Sequence, residues 1–492
     1  MDKDKNFYTI LGVPHNATQK EIRRAYHAAA RRFHPDVNKD PNAGTVFLKI
    51  QEAYETLANP DERIKYNKSH SIEDDIPPIT LNIIYSRSSI VHLEEPQLIY
   101  TLIEMKPSQI YEEKKLAPLN VCLVLDRSTS MQGARLEVVK ETAIELVQQL
   151  NPNDSLAIVS FSDHAEVLIP SGLQIDKTTV VNRIRQLHAS GGTEIFRGLE
   201  AGYKEIRRNL RPSNVNHLIL ITDGRTYGDE QDCIDLATRS ATIGIGLSGL
   251  GIGSQWNDVF MDTLTNRSGG NCTYISSTED IAEFFKKEVR SISQVFAEGV
   301  TLDVDTGPDV EIRYAFRLEP EIAGLEPKLP IPLGNIQMDI ALKVILEMLV
   351  PAISGESSQV SLAEGSLRLN IPSREVPLYN MPIFLERPVT EAPNPQPPPA
   401  EILLATEKIT LYRMQENARQ EFSTGDIHSA TRHLENLASR LTSLGKHQLA
   451  QTVLIEAENL KRQNRYSEEG DKKIKYGTRA LLLPDITDGN IL

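Results

Sequence analysis

The feature that most restricts the fold of this chain is a hydrophobic period that keeps changing. Apolar residues recur at helical spacing over residues 5–70, then alternate with period two over 79–116. From 119 to about 297 short apolar runs alternate with helical stretches, and 299–385 return to strand-like alternation. Beyond 400 the spacing is helical again. No single layered core accommodates all of these patterns. The length of 492 residues, roughly three to four typical domains, points the same way. The chain is therefore multidomain.

The N-terminal stretch reads as all-α. Thr18 and Glu21 form a capping box, and the helix they open carries Ile22, Ala25, Tyr26, Ala29 and Phe33 on one face. Its other positions hold Lys20, Arg23, Arg24, His27, Arg31 and Arg32. After a polar loop, Phe47, Ile50, Ala53, Tyr54 and Leu57 repeat the helical period, giving an antiparallel pair. Residues 71–78 are acidic, end in Pro77-Pro78 and read as a linker. The runs Val121–Leu125, Leu156–Val159, Leu218–Ile221 and Ile243–Leu247 then mark a parallel sheet with helices on both faces, a doubly wound α/β unit over 118–297. The strands on either flank, 79–117 and 298–386, are expected to form one β-rich, sandwich-like domain into which that unit is inserted. Five prolines between Glu391 and Ala400 place an extended spacer at 387–400. A helical hairpin or bundle over 401–492 closes the chain, with one helix running from Asp426 to Gly445.

Two constellations carry chemistry. The first is His34-Pro35-Asp36 at the end of the basic helix, a tripeptide that alone is ordinary helix-end punctuation. Its context is not ordinary. Asn6-Phe7-Tyr8-Thr9-Ile10-Leu11-Gly12-Val13, Glu21–Tyr26, Phe33–Asn38, Ala53-Tyr54-Glu55-Thr56-Leu57 and Pro60-Asp61-Glu62-Arg63 together resemble a J-domain. The resemblance implies a module that docks on an Hsp70-type chaperone and stimulates its ATPase. The docking residues it implies are His34, Pro35, Asp36, Arg23, Arg24, Tyr26, Arg31 and Arg32. A basic face can steer an acidic partner groove, which is compatible. His27 and Ala28 stand where the family often has basic residues. No Gly/Phe-rich segment and no Cys-x-x-Cys repeats follow, so client choice is expected to come from elsewhere in the chain.

The second constellation starts at Asp126-Arg127-Ser128-Thr129-Ser130, directly after the first core strand, where doubly wound folds place their ligands. Alone, this segment reads as a helix N-cap. Gly191-Gly192-Thr193 and Thr222-Asp223-Gly224 add a second loop and a second strand end. Oxygen donors without His or Cys suit Mg2+ or Mn2+, with a coordination position left for water or a carboxylate. The set resembles a von Willebrand factor A domain with a metal-ion-dependent adhesion site. That resemblance implies metal ligands Asp126, Ser128, Ser130, Thr193 and Asp223, and a protein partner whose acidic residue completes the ion.

Composition excludes other classes. The formal net charge is −14, which disfavours nucleic-acid binding. Residues 1–70 hold 12 basic and 9 acidic side chains, a net of +3, leaving −17 for the rest. Cys122, Cys233 and Cys272 are too few and scattered for a disulfide framework or thiolate zinc site. No signal peptide or membrane span is apparent, so a cytoplasmic location is expected. Gly244-Ile245-Gly246-Leu247-Ser248-Gly249 is read as the end of a strand and its loop, not a dinucleotide site. Ser162-Asp163-His164 is a turn, not a triad. Trp256 is expected to open a surface helix. The whole reads as a non-enzymatic co-chaperone whose A domain selects the client; the alternative is an A-domain scaffold for an AAA+ ATPase of the MoxR or chelatase type.

Overall fold

The computed structural model describes residues 7–13, 17–33, 43–69, 77–108, 117–173, 176–226, 228–253, 256–268, 270–275, 287–353, 358–374, 377–392 and 396–481. Four helices open the chain: α1 (Phe7–Leu11), α2 (Gln19–Phe33), α3 (Ala43–Ala58) and α4 (Pro60–Ser69). The capping box forms: Glu21 accepts from the Thr18 amide at 2.5 Å, and Thr18 Oγ1 accepts from the Glu21 amide at 3.3 Å. Ile22, Ala25, Ala29 and Phe33 of α2 bury against Ile50, Ala53 and Leu57 of α3.

A β-sandwich forms the centre of the molecule. One sheet orders β1 (Ile79–Tyr85), β3 (Gln97–Pro107), β14 (Leu342–Val350), β11 (Glu311–Glu319) and β12 (Ala323–Leu325). The other orders β13 (Ile331–Gln337), β10 (Val295–Thr306), β15 (Gln359–Asn370), β16 (Leu378–Thr390) and the short β2 (Ile90–Val91). Strands from both flanks share one core, as Ile99 and Ile103 meet Val344, Leu346, Leu302 and Leu367. Two boundaries shift. Strand β10 begins at Val295, inside the range assigned to the α/β unit, because Val295 and Ala297 already pair with β13. Strand β16 runs to Thr390, so 387–390 belong to the sandwich and not the spacer; Val389 and Thr390 pair with β2.

The α/β unit leaves the sandwich after β3 and returns at β10. Its sheet orders β6 (Ala165–Gly172), β5 (Ser155–Phe161), β4 (Leu119–Asp126), β7 (Val215–Thr222), β8 (Ile245–Ile252) and β9 (Cys272–Ile275), parallel apart from β6. Along β4, Val121, Leu123 and Leu125 face α5 (Ala134–Gln149) and α6 (Lys177–Arg185). Cys122 and Val124 face the side covered by α7 (Ile195–Arg208), α8 (Glu230–Thr242) and α9 (Asp258–Asn266). The glycine reading is corrected: Gly246, Gly249 and Gly251 lie within β8, not at its end. A Cβ on Gly251 would stand 2.1 Å from the Trp256 ring and one on Gly249 2.5 Å from Met261, so they admit close packing. Trp256 is corrected too. It opens no surface helix but is fully buried against Tyr274 and Tyr476, with centroids 6.2 and 5.9 Å away.

Four C-terminal helices, α10 (Ala400–Thr424), α11 (Ile427–Ser443), α12 (His447–Gln463) and α13 (Glu468–Leu481), form a bundle rather than a hairpin. It packs on the outer face of the first sheet through Leu102, Phe316, Leu318 and Ile345. Its last helix reaches over to the α/β unit.

Candidate functional site

At the carboxyl end of β4 the chain turns into a 3-10 turn over Thr129–Met131 before α5 starts. Asp126 ends the strand and is wholly buried. Its Oδ1 accepts from the Ser128 amide at 2.7 Å and its Oδ2 from the Thr222 hydroxyl at 2.6 Å. Burial pushes its carboxyl up to about 6, an effect that hydrogen bonds from Thr222 and Ser128 oppose. Ser130 Oγ donates to Asp223 Oδ1 at 2.6 Å, and the Ser128 and Ser130 hydroxyls are 3.0 Å apart. With the Ser130 O–H directed at Asp223, Ser128 donates to Ser130 and both hydroxyl oxygens keep lone pairs free.

The β7 end supplies Asp223, also buried. Gly224 after it lets the second loop close in: a Cβ there would stand 2.9 Å from Thr193 Oγ1. The loops are tied to one another, since Gly191 O accepts from both the amide (3.1 Å) and the hydroxyl (3.0 Å) of Thr129. Asp126, Ser128, Ser130 and Asp223 are thus joined by hydrogen bonds, and Thr193 lies beside the strand end that carries Asp223. Two buried carboxylates and three hydroxyls brought together here fit a hard divalent cation: the donors are oxygen, and the two carboxylates outnumber the Arg135 guanidinium that pairs with Asp223. Among the described residues no cluster of three or more His, Cys, Asp or Glu side chains offers a metal site of another kind.

Three features of this face carried no functional assignment in the sequence reading. Thr222, which orients Asp126, lay inside the recognised strand end. Arg135 Nη1 donates to Asp223 Oδ2 at 2.5 Å, a contact set by where α5 starts and by no motif. Ser162-Asp163-His164 is a turn, as read, but it borders the site. His164 Nδ1 meets Asp163 Oδ1 at 2.9 Å and its Nε2 meets Arg127 Nη2 at 2.8 Å, so Nδ1 carries the proton.

On the N-terminal helices, Arg23 is exposed and Arg24 half-buried, while Tyr26 stacks on Tyr54 with centroids 4.0 Å apart. Tyr26 therefore also joins α2 to α3. His34, Pro35 and Asp36, with the side chains of Arg31 and Arg32, lie outside the described residues.

The DnaJ domain family model matches residues 6–67 and the von Willebrand factor type A domain model matches 120–287. A third, the Sll0103-like C-terminal alpha-helical domain, matches 400–484. Over 383 residues the chain is 26% identical to protein sll0103 of Synechocystis sp., covering 75% of this chain and 89% of that one. The chaperone protein DnaJ of Dictyoglomus thermophilum is 49% identical over 74 residues, 15% of this chain and 19% of that protein. DnaJ 2 of Thermus thermophilus is 54% identical over 67 residues, 14% and 24% of the two chains. The chain thus spans about a fifth of the length of these DnaJ relatives. Among solved structures, a von Willebrand factor type A protein from Catenulispora acidiphila superposes with TM-score 0.64 at 14% identity, covering 82% of this chain and 96% of that one. The ArnB paralog VWA2 from Sulfolobus acidocaldarius superposes with TM-score 0.52 at 16% identity, covering 82% and 98%. These likenesses concern the fold. No described helix is long and apolar enough to cross a membrane.

Proposed function

From a chain that joins a J-domain to a von Willebrand factor A domain in one polypeptide, we propose a non-enzymatic co-chaperone that stimulates an Hsp70-type ATPase and holds its client on the A domain. The observation that carries the reading is the presence on one chain of the His34-Pro35-Asp36 module and an assembled Asp126/Ser128/Ser130/Thr193/Asp223 face. Tethering raises the effective concentration of client near the chaperone.

The A-domain residues divide their work. Asp126 and Asp223 supply charge, and Ser128, Ser130 and Thr193 supply neutral oxygens. Thr222 and the Ser128 amide hold Asp126 in place. Mg2+ or Mn2+ suits this donor set and, when bound, offers an open position to a carboxylate of the partner. A cytoplasmic setting, where Hsp70 and ATP coexist, belongs to the same proposal.

The test is single-turnover ATP hydrolysis by a cognate Hsp70 together with divalent-dependent client capture. Wild type accelerates hydrolysis; His34→Gln abolishes the acceleration and leaves capture intact. Asp126→Ala does the reverse. A folded variant that loses both activities, or a wild type that accelerates no Hsp70, contradicts the proposal.

A further inference from the structure

Arg135 occupies the first turn of α5 and belongs to no recognised donor set, yet its guanidinium pairs directly with one of the two buried carboxylates. Its Nη1 donates to Asp223 Oδ2 at 2.5 Å and lies 3.4 Å from the Ser130 carbonyl oxygen. The partners differ sharply in exposure: the arginine side chain is 38% exposed and that of Asp223 is not exposed at all. The guanidinium thus caps the acidic crevice from its solvent side. On its far side it packs against the backbone at Gly253, where φ is +71° and a Cβ would stand 3.1 Å from Nη2. Gly253 is itself held, its amide donating to Ile275 O at 2.9 Å and its carbonyl accepting from the Trp256 indole at 2.8 Å. The arginine therefore sits in a shaped place between the β4–α5 turn and the end of β8.

Two ionised carboxylates and one guanidinium leave the crevice at net −1. A divalent ion brings it to +1, whereas the same crevice without Arg135 would pass from −2 to zero. We propose that Arg135 sets the ion affinity of this site: it is a tethered cation that weakens divalent binding and leaves the loaded site with an excess positive charge for an acidic partner. The inference rests on the divalent reading above and deepens it, by naming the residue that shifts charge from holding the ion to holding the partner. Coulomb repulsion between a partly exposed guanidinium and a divalent ion sharing one carboxylate corresponds to about tenfold in ion affinity.

The experiment is Mn2+ titration of the full chain, followed by electron paramagnetic resonance and by calorimetry. It compares wild type, the neutral variants Arg135→Gln and Arg135→Met, the charged variant Arg135→Lys, and Asp126→Ala. The expected result is about tenfold tighter Mn2+ binding in both neutral variants, affinity near wild type in Arg135→Lys, and loss of binding in Asp126→Ala. Binding seen only in the neutral variants supports the proposal more strongly. Neutral variants that bind no tighter than wild type, while Asp126→Ala loses the ion, overturn the role of Arg135 and leave the divalent site standing. If no variant binds Mn2+, the divalent reading fails and this inference fails with it. Using two neutral side chains of different shape keeps the result readable if one of them folds poorly.

Discussion

The two ends of the chain are both fastened to its middle by charge, and in opposite ways. The J-domain meets the sandwich through Lys20 and Arg24, which reach Asp305 at 2.7 and 3.3 Å, with Lys20 and Asp305 mostly in water and Arg24 half-buried. The accompanying apolar contact is small: Leu378 joins the J-domain core, and Gly12 O accepts from the Asn380 amide. The C-terminal helix α13 instead buries its charges. Arg479 grips both oxygens of Asp262 at 3.0 and 2.8 Å, Lys475 adds a contact at 2.8 Å and also meets Asp258, and Arg419 bridges Asp258 and Asp471 at 2.7 and 3.0 Å. Exposed pairs contribute little and are screened, whereas a buried network is nearly neutral when complete and very costly when one member is removed. The helical bundle, seated on the sandwich, is therefore fixed to the A domain through its last helix, and the J-domain is lightly held.

Asp262→Ala breaks that contrast most severely. It leaves Lys475 and Arg479 buried without their shared carboxylate, and the expected loss is about 3–5 kcal/mol in chemical denaturation. A loss below about 1 kcal/mol would mean that the network is open to water.

Next comes a buried acid without such partners. Burial alone would raise the Asp262 carboxyl, but Arg479 and Lys475 outweigh it and hold the group well below the usual carboxylate range. Glu288, near the seam between the A domain and the sandwich, goes the other way: burial, aided by Glu321 and opposed by a hydrogen bond with Ser248 and then by Lys287, pushes it up to about 7. A carboxyl whose folded value lies above its ordinary 4.5 binds more protons folded than unfolded. Its contribution is complete below about pH 4.5 and is lost as the pH rises through about 7. Glu288→Gln should remove that slope and stabilise the chain at pH 8 by up to about 3 kcal/mol, read from melts across pH 4–8. Equal pH slopes in wild type and variant would show that Glu288 is ionised and hydrated in the fold.

The smallest effect belongs to the other end. Asp305→Asn removes the anchor of Lys20 and Arg24 and should cost under about 1 kcal/mol, less still at high salt. Hydrogen exchange at residues 378–380 measures it locally, and a large increase there would place the J-domain contact among the strong ones.

Much of this was legible in the residue order, and the reason is local. The Thr18/Glu21 cap, the apolar face of α2 and the end of α11 at Ser443, just before Gly445, follow from propensities within a few residues. The oxygen-bearing residues that meet at the Asp126/Asp223 face could be picked out because each occurs at the end of a recognisable strand or loop; their role as ligands belongs to the proposal. Trp256 was misread because an Asn-Asp pair after it signals a helix start, which does form at Asp258, and says nothing of what covers the indole. Its cover is Tyr476, 220 positions away by numbering.

By itself, then, the sequence determined the kinds of unit, their order and the donor types at the site, since these depend on period, composition and short spacing. Tertiary structure alone decided the long-range pairings: which strands from the two flanks share a sheet, that Arg135 faces Asp223, and that Asp262 meets Lys475 and Arg479. The physical reason is that a charge carries no local period. A lysine on a helix reads as a solvated face until the fold removes the water around it, and only then does its partner, or the lack of one, become an energy.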